Sequence, residues 1–184
     1  MSTTVGHAIC GITCLLAGRR LVAADVSDLS VRSMALFAIL ANLPDLDMVV
    51  SYAITGNPLY YHGQVSHSLL FSAFVGLLVM LVISKQHNAR TWLLYTSPLL
   101  LHVLMDSLTG PEVGAVPSRG VALLWPIIIE PIPFPVTLMN GPHHDTWDRF
   151  FDMHNVKVVM YEIIIFTPLL FLAWRAYWRR SATY

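Results

Sequence analysis

The chain alternates apolar runs with short polar breaks. Two of those runs, His67 to Ser84 and Val158 to Trp178, predict membrane-spanning helices. Glu162 and Arg175 are the only charges in the second, and at about 1.5 Å per residue each run covers most of a hydrocarbon core about 30 Å thick. Trp92 to Met105 is shorter and uncharged, and Val5 to Gly18 and Ser33 to Leu43 are shorter again. These three need tilt, snorkelling arginines or burial in a bundle. The expected architecture is an all-α, polytopic membrane bundle of about five helices.

Composition agrees with that pattern. Only 12% of the 184 residues are charged and 55% are hydrophobic, with mean hydropathy +0.61. A water-soluble domain of this size could hardly cover its surface with so few charges. The length suits a single domain over 1–184. Eleven Lys and Arg balance eleven Asp and Glu, which removes the basic excess of a nucleic-acid binder and the net charge of a disordered chain. Cys10 and Cys14, four apart in an apolar run, read as small buried hydrophobes on one helix face.

Basic residues set the expected orientation. With five helices laid end to end, Arg19, Arg20, Arg32, Lys85, Arg90, Arg175, Arg179 and Arg180 fall on one side, leaving Arg119, Arg149 and Lys157 on the other. The positive-inside rule makes the first side cytoplasmic. The N-terminus, the Leu46 to Ser66 connection and the long segment 107–155 then face outward, in an N-out, C-in topology. No positive residue precedes the first apolar run, so that run does not read as a signal peptide.

On this topology the chemistry gathers at one level. Asp45 and Asp47, in Leu43-Pro44-Asp45-Leu46-Asp47, fall where the second helix meets the outer face. His62 and His67 follow, with His67 opening the third helix there, and His7 opens the first. The fourth helix ends with His102 and Asp106, an i, i+4 pair on one face. Singly, each has an ordinary reading as a polar pair, a turn cap or a terminal histidine. Together, seven candidate metal ligands, His7, Asp45, Asp47, His62, His67, His102 and Asp106, converge on the outer end of the bundle. Such groups at the margin of hydrocarbon are costly unless paired or bound to metal. A mixed imidazole and carboxylate shell suits zinc, or else manganese, better than Ca²⁺ or Mg²⁺, and with this many ligands one or two ions fit. Glu162 sits in the first turns of the last helix without a partner of its own, so it reads as a further ligand or a base.

The outer segment carries Pro126, Pro131, Pro133, Pro135 and Pro142 among Ile, Phe and Leu. That spacing forbids a regular helix and predicts an extended apolar flap at the membrane interface. His143, His144, Asp145, Asp148, Asp152 and His154 follow, interleaved with Trp147 and Phe150, and read as a solvated polar face with aromatic anchors.

These segments in this order resemble the YdjM-type family of predicted inner-membrane, metal-dependent hydrolases. The resemblance runs from Gly6-His7, through Leu43-Pro44-Asp45-Leu46-Asp47, His62 and His67-Ser68, and His102 with Asp106, to Gly120-Val121-Ala122-Leu123-Leu124-Trp125-Pro126. Met48 stands where the family often has His, and Gly63, Gln64 and Ser66 stand where it has Arg, Gly and Thr. The family is distantly similar to zinc-dependent, all-helical phospholipases C, which implies phosphodiester or phospholipid chemistry by analogy.

The expected function is an inner-membrane, multi-pass hydrolase acting on an ester or phosphodiester, lipid-borne because its site opens at membrane level. Asp47 or Glu162 would accept a proton from metal-activated water. The other class is a non-enzymatic metal- or proton-binding membrane protein, a small transporter or adaptor. Neither repeat symmetry nor midplane polar residues favour a transporter. A reporter tag at the N-terminus should react with a membrane-impermeant reagent on intact cells, and one at the C-terminus should not. Equal access at both ends would leave four spans and an interfacial helix.

Overall fold

The computed structural model describes residues 2–19, 29–143, 149 and 151–181. Six α-helices occur among the described residues: α1 (Thr4–Gly18), α2 (Val31–Asn42), α3 (Leu46–Thr55), α4 (Leu69–Ile83), α5 (Ala89–Ser107) and α6 (Met153–Ser181). A side-chain cap starts each of four. Thr3, Ser30, Ser68 and Asn88 accept backbone N–H groups from the first turns of α1, α2, α4 and α5.

The second expected helix is longer than its apolar run suggests. Pro44 is the second residue of a 3-10 turn, Leu43–Asp45, where its missing N–H leaves no ladder bond unmade. The chain continues at once into α3, which Gly56 ends in the left-handed conformation at φ 72°. Leu46 to Thr55 is therefore helix, which corrects the expectation of a connection from Leu46 to Ser66. Among the described residues, Val31–Thr55 and Met153–Arg179 are the two stretches long and apolar enough to cross a membrane by length and composition. α4 is only 15 residues, because His67 ends a separate 3-10 turn, Val65–His67, rather than opening the helix.

α1 packs against α2, α5 and α6, and α4 against α5. Leu15, Phe37, Leu40, Met80, Leu94 and Tyr95 form the main core cluster. Two glycines let the helices approach closely. A Cβ on Gly11 would lie 2.3 Å from the Phe37 carbonyl oxygen, and one on Gly76 would lie 2.8 Å from the Thr96 Cα. Small residues at crossings are the means by which apolar helices pack when lipid solvates their outer faces. Pro98 interrupts the α5 ladder, and the Ser97 hydroxyl donates to the Leu94 carbonyl that Pro98 leaves unbonded, at 2.8 Å. At the end remote from the histidines, the Arg19 guanidinium lies 4.5 Å above the Tyr177 ring.

Residues 108–142 form no helix, in keeping with their prolines, and run extended on either side of a turn at 123–127. Thr109–Gly110 pairs in parallel with Met139–Asn140, and isolated antiparallel bridges join Gly114 to Thr137 and Val121 to Ile132. The segment folds back on the start of α4. The Ala122 amide donates to the Gly63 carbonyl at 2.9 Å, and the Leu69 amide to the Leu123 carbonyl at 3.0 Å. Arg20, His144, Asp145, Trp147, Asp148 and Phe150 lie outside the described residues.

Replacing Gly11 by Ala should force α1 from α2 and cost about 1–3 kcal/mol, the usual penalty of overpacking. A fall in the midpoint of thermal unfolding in detergent would measure it.

Candidate metal centre

One end of the bundle collects the polar side chains, because α1 and α4 begin there while α2 and α5 end there. His7, His67 and His102 are wholly buried, Asp106 nearly so, and the Asp45 side chain is 18% exposed. The seven expected ligands are all in this region.

Hydrogen bonds at the far ring nitrogens decide what the imidazoles present. His102 Nδ1 lies 2.7 Å from the Ala41 carbonyl oxygen. A carbonyl only accepts, so Nδ1 carries the proton and Nε2 offers its lone pair. His67 Nδ1 lies 3.3 Å from Asp47 Oδ2 and 2.9 Å from Ser66 Oγ, and its Nε2 likewise turns inward. The two Nε2 atoms then face one another at 3.1 Å.

Asp106 Oδ2 and Asp45 Oδ1 complete the group. His67 Nε2 lies 3.2 Å from Asp106 and 3.7 Å from Asp45, and His102 Nε2 lies 3.4 Å and 3.6 Å from the same two oxygens. With metal–ligand distances near 2.1 Å, tetrahedral ligands stand roughly 3.4 Å apart. Five of the six separations among these atoms are thus those of a shell around one small divalent ion, and all four atoms lie within 4.8 Å of one another. Asp45 Oδ1 is buried without a hydrogen-bond partner, as a ligand atom would be before it meets its ion.

His7 stands beside this group. Its ring stacks on that of His102 with centroids 3.8 Å apart, and its Nε2 lies 3.3 Å from Asp106 Oδ1 and 4.0 Å from Asp45 Oδ2. Both His7 ring nitrogens lack a hydrogen-bond partner.

Asp47, His62 and His67 also lie close enough to share an ion, but Asp47 is already saturated. It faces His62 Nδ1 at 2.6 Å and accepts from Ser66 Oγ at 2.5 Å and from the Gly63 amide at 3.3 Å. Gly63, at φ 79°, occupies a conformation that side chains disfavour. His62 keeps Nε2 buried and without a partner.

Glu162 has another occupation. It is wholly buried and accepts from Ser2 Oγ at 2.6 Å, from the Thr3 amide at 2.9 Å and from Thr3 Oγ1. Ser2 in turn donates its amide to Asp106 Oδ1 at 2.8 Å. A Cβ on Gly6 would meet Glu162 Oε2 at 2.4 Å, so the glycine before His7 is what lets the carboxylate in. Glu162 therefore lies behind the ligand cluster, tying the chain start to α6, which differs from the expected ligand or base. Neither Ser2 and Thr3 nor the Ala41 carbonyl carried a motif. The one hint was the glycine beside His7.

Asp152 belongs to a separate network. His143 Nδ1 lies 2.8 Å from it and the Asn155 amide donates to it at 2.9 Å. These two contacts, His143 first, hold its carboxyl below the usual carboxylate range, and the Asn155 amide bond caps the start of α6.

Comparison with known proteins agrees with the ordered motifs. The family described as "YdjM inner membrane protein" matches residues 1–182. The "Inner membrane protein YbcI" of Escherichia coli (strain K12) is 29% identical over 147 residues, covering 77% of this chain and 81% of that protein. No solved structure matches the chain.

Replacing Glu162 by Leu should leave the buried Ser2 and Thr3 donors unmatched and cost about 2–4 kcal/mol. Thermal unfolding should report that loss, and Glu162→Gln, which keeps one acceptor oxygen, should lose less.

Proposed function

Because the chain belongs to the YdjM inner membrane protein family, we propose that it is a membrane-bound, metal-dependent hydrolase of an ester or phosphodiester. One observation carries this reading: the Nε2 atoms of His67 and His102 lie 3.1–3.7 Å from one another and from one oxygen each of Asp45 and Asp106. These four residues would hold the ion, with His7 beside them. The shell of imidazoles and carboxylates fits zinc best and manganese second. When bound, such an ion supplies a Lewis acid and lowers the pKa of water.

The protein supplies the rest. Ala41 and Asp47 hold the protons of His102 and His67 on Nδ1, which keeps Nε2 available and fixes each ring. Asp47 and Glu162 each already face three other groups, so we assign the proton-accepting role to neither. His62 suits that task better. Its Nδ1 rests on Asp47 and its Nε2 has no partner, the arrangement in which a carboxylate sets the tautomer of a general base. Asp45, the most exposed of the four-atom group, marks the side from which substrate would enter.

A lipid-borne substrate is favoured by the surroundings. α3 continues ten residues past the site, about 15 Å, with Val49, Val50 and Ile54 exposed. α6 extends a similar distance beyond Glu162, exposing Met153, Val156 and Met160. Apolar side chains projecting beyond the site suit lipid contact better than water. A multi-pass arrangement, with the basic ends of the helices in the cytoplasm and the site toward the outer face, completes the proposal.

Protein purified in detergent should carry zinc or manganese, and folded His102→Ala and Asp106→Ala variants should lose it. Metal-loaded wild type should then hydrolyse a chromogenic phosphodiester or a short-chain phospholipid, and His62→Ala should keep the metal while losing about 100-fold or more in rate. Metal without turnover would favour a binding protein or adaptor, and no metal after reconstitution would overturn the reading.

A further inference from the structure

Asp45 and Asp106 each turn their two oxygens to different sides. Asp106 Oδ2 lies 3.2 Å from His67 Nε2 and 3.4 Å from His102 Nε2, while Asp106 Oδ1 lies 3.3 Å from His7 Nε2. Asp45 repeats the division, with Oδ1 toward His67 and His102 and Oδ2 4.0 Å from His7. His7 cannot belong to the four-atom group, since it approaches the oxygens that group does not use. Its own ring is wholly buried with neither nitrogen hydrogen-bonded. A neutral imidazole in that state forgoes both a donor and an acceptor bond, a cost that a ligand bond at Nε2 would offset.

We propose a second divalent-cation position on the His7 side, bound by His7 Nε2, Asp45 Oδ2 and Asp106 Oδ1, with both carboxylates bridging to the first ion. The proposal rests on the metal-dependent reading above and adds to it which ion meets the substrate. Stacked His7 and His102 rings, 3.8 Å apart, offer each ion its own imidazole, and two-metal hydrolytic centres hold their ions roughly 3.5–4 Å apart. Two bridging carboxylates set that spacing from the other side. The first position has four protein ligands, so water reaches that ion only as a fifth ligand. The second has three, which leaves room for water and a substrate oxygen, the difference between structural and catalytic sites. Ser2 limits Asp106 Oδ1 further, because its amide takes one lone pair at 2.8 Å and leaves the other for the ion.

The position is distinct from the Asp47, His62 and His67 group on the far side of His67. There Asp47 already accepts Ser66 and Gly63 and faces His62. His67 could serve both sides only by losing its ring proton.

Full-length protein loaded with Mn²⁺ and freed of excess metal tests this by elemental analysis and low-temperature EPR. Wild type should hold two ions per chain with the spectrum of an exchange-coupled pair. His7→Ala should hold one, with the spectrum of an isolated ion. His7→Gln serves the same purpose if the alanine variant does not fold. A single ion in both wild type and His7 variants would overturn the second position and leave the hydrolase reading standing. Two ions retained in the His7 variant but one in His62→Ala would move the second ion to the Asp47 side and overturn it as well. Loss of all metal in His7→Ala would make His7 a ligand of the first ion, again overturning the proposal. A metal-free wild type would defeat the metal-dependent reading itself.

Discussion

Three imidazoles and two carboxylates with almost no access to water are the constraint around which this chain is organised. Each desolvated group would cost several kcal/mol if left without a counterpart, and here the counterparts are mostly one another. That makes the cluster a single unit. His67 lies between Asp47 on one nitrogen and the His102 and Asp106 pair on the other, and His102 is pinned by a backbone carbonyl of the neighbouring helix. The helices arrive at this end with their capped starts and bonded ends because a frayed terminus would add further unmatched donors to a place that already holds too many polar atoms.

The rest of the bundle is simple by comparison. Its core is a modest set of aliphatic and aromatic residues, and its close crossings rest on Gly11 and Gly76. Much of its apolar surface faces outward along α4 and α6. An inside-out distribution of this kind suits a protein whose solvent is lipid, where packing and internal polar contacts hold helices together in place of the hydrophobic effect.

The convergence of the seven ionisable residues was legible because charge is scarce in this sequence, so each carboxylate stands out, and because helix direction alone decides which end it reaches. The His102 and Asp106 pair needed only helical spacing. What was not legible depended on contacts far apart in the chain. Pro44 directly follows the second apolar run, yet as the second residue of a 3-10 turn it lets helix continue into α3. His67 looked like the first residue of α4, but Ser68 is the cap. Glu162 looked like a free carboxylate in an apolar helix. Its partners are Ser2 and Thr3, some 160 residues away, and no local pattern links them. The division of labour within the cluster was also hidden, since it is set by which ring nitrogen meets a carbonyl or a carboxylate.

The link between Glu162 and the chain start also bears on biosynthesis. Ser2 and Thr3 are the first described residues to be made, and Glu162 belongs to the last helix. Until α6 has left the ribosome, the segment that steers Asp106 lacks the Glu162 carboxylate that holds its hydroxyls, and the cluster lacks one wall. Assembly of the cluster is thus a late event, completed when Ser2 and Thr3 meet α6 rather than when His102 and Asp106 have been synthesised.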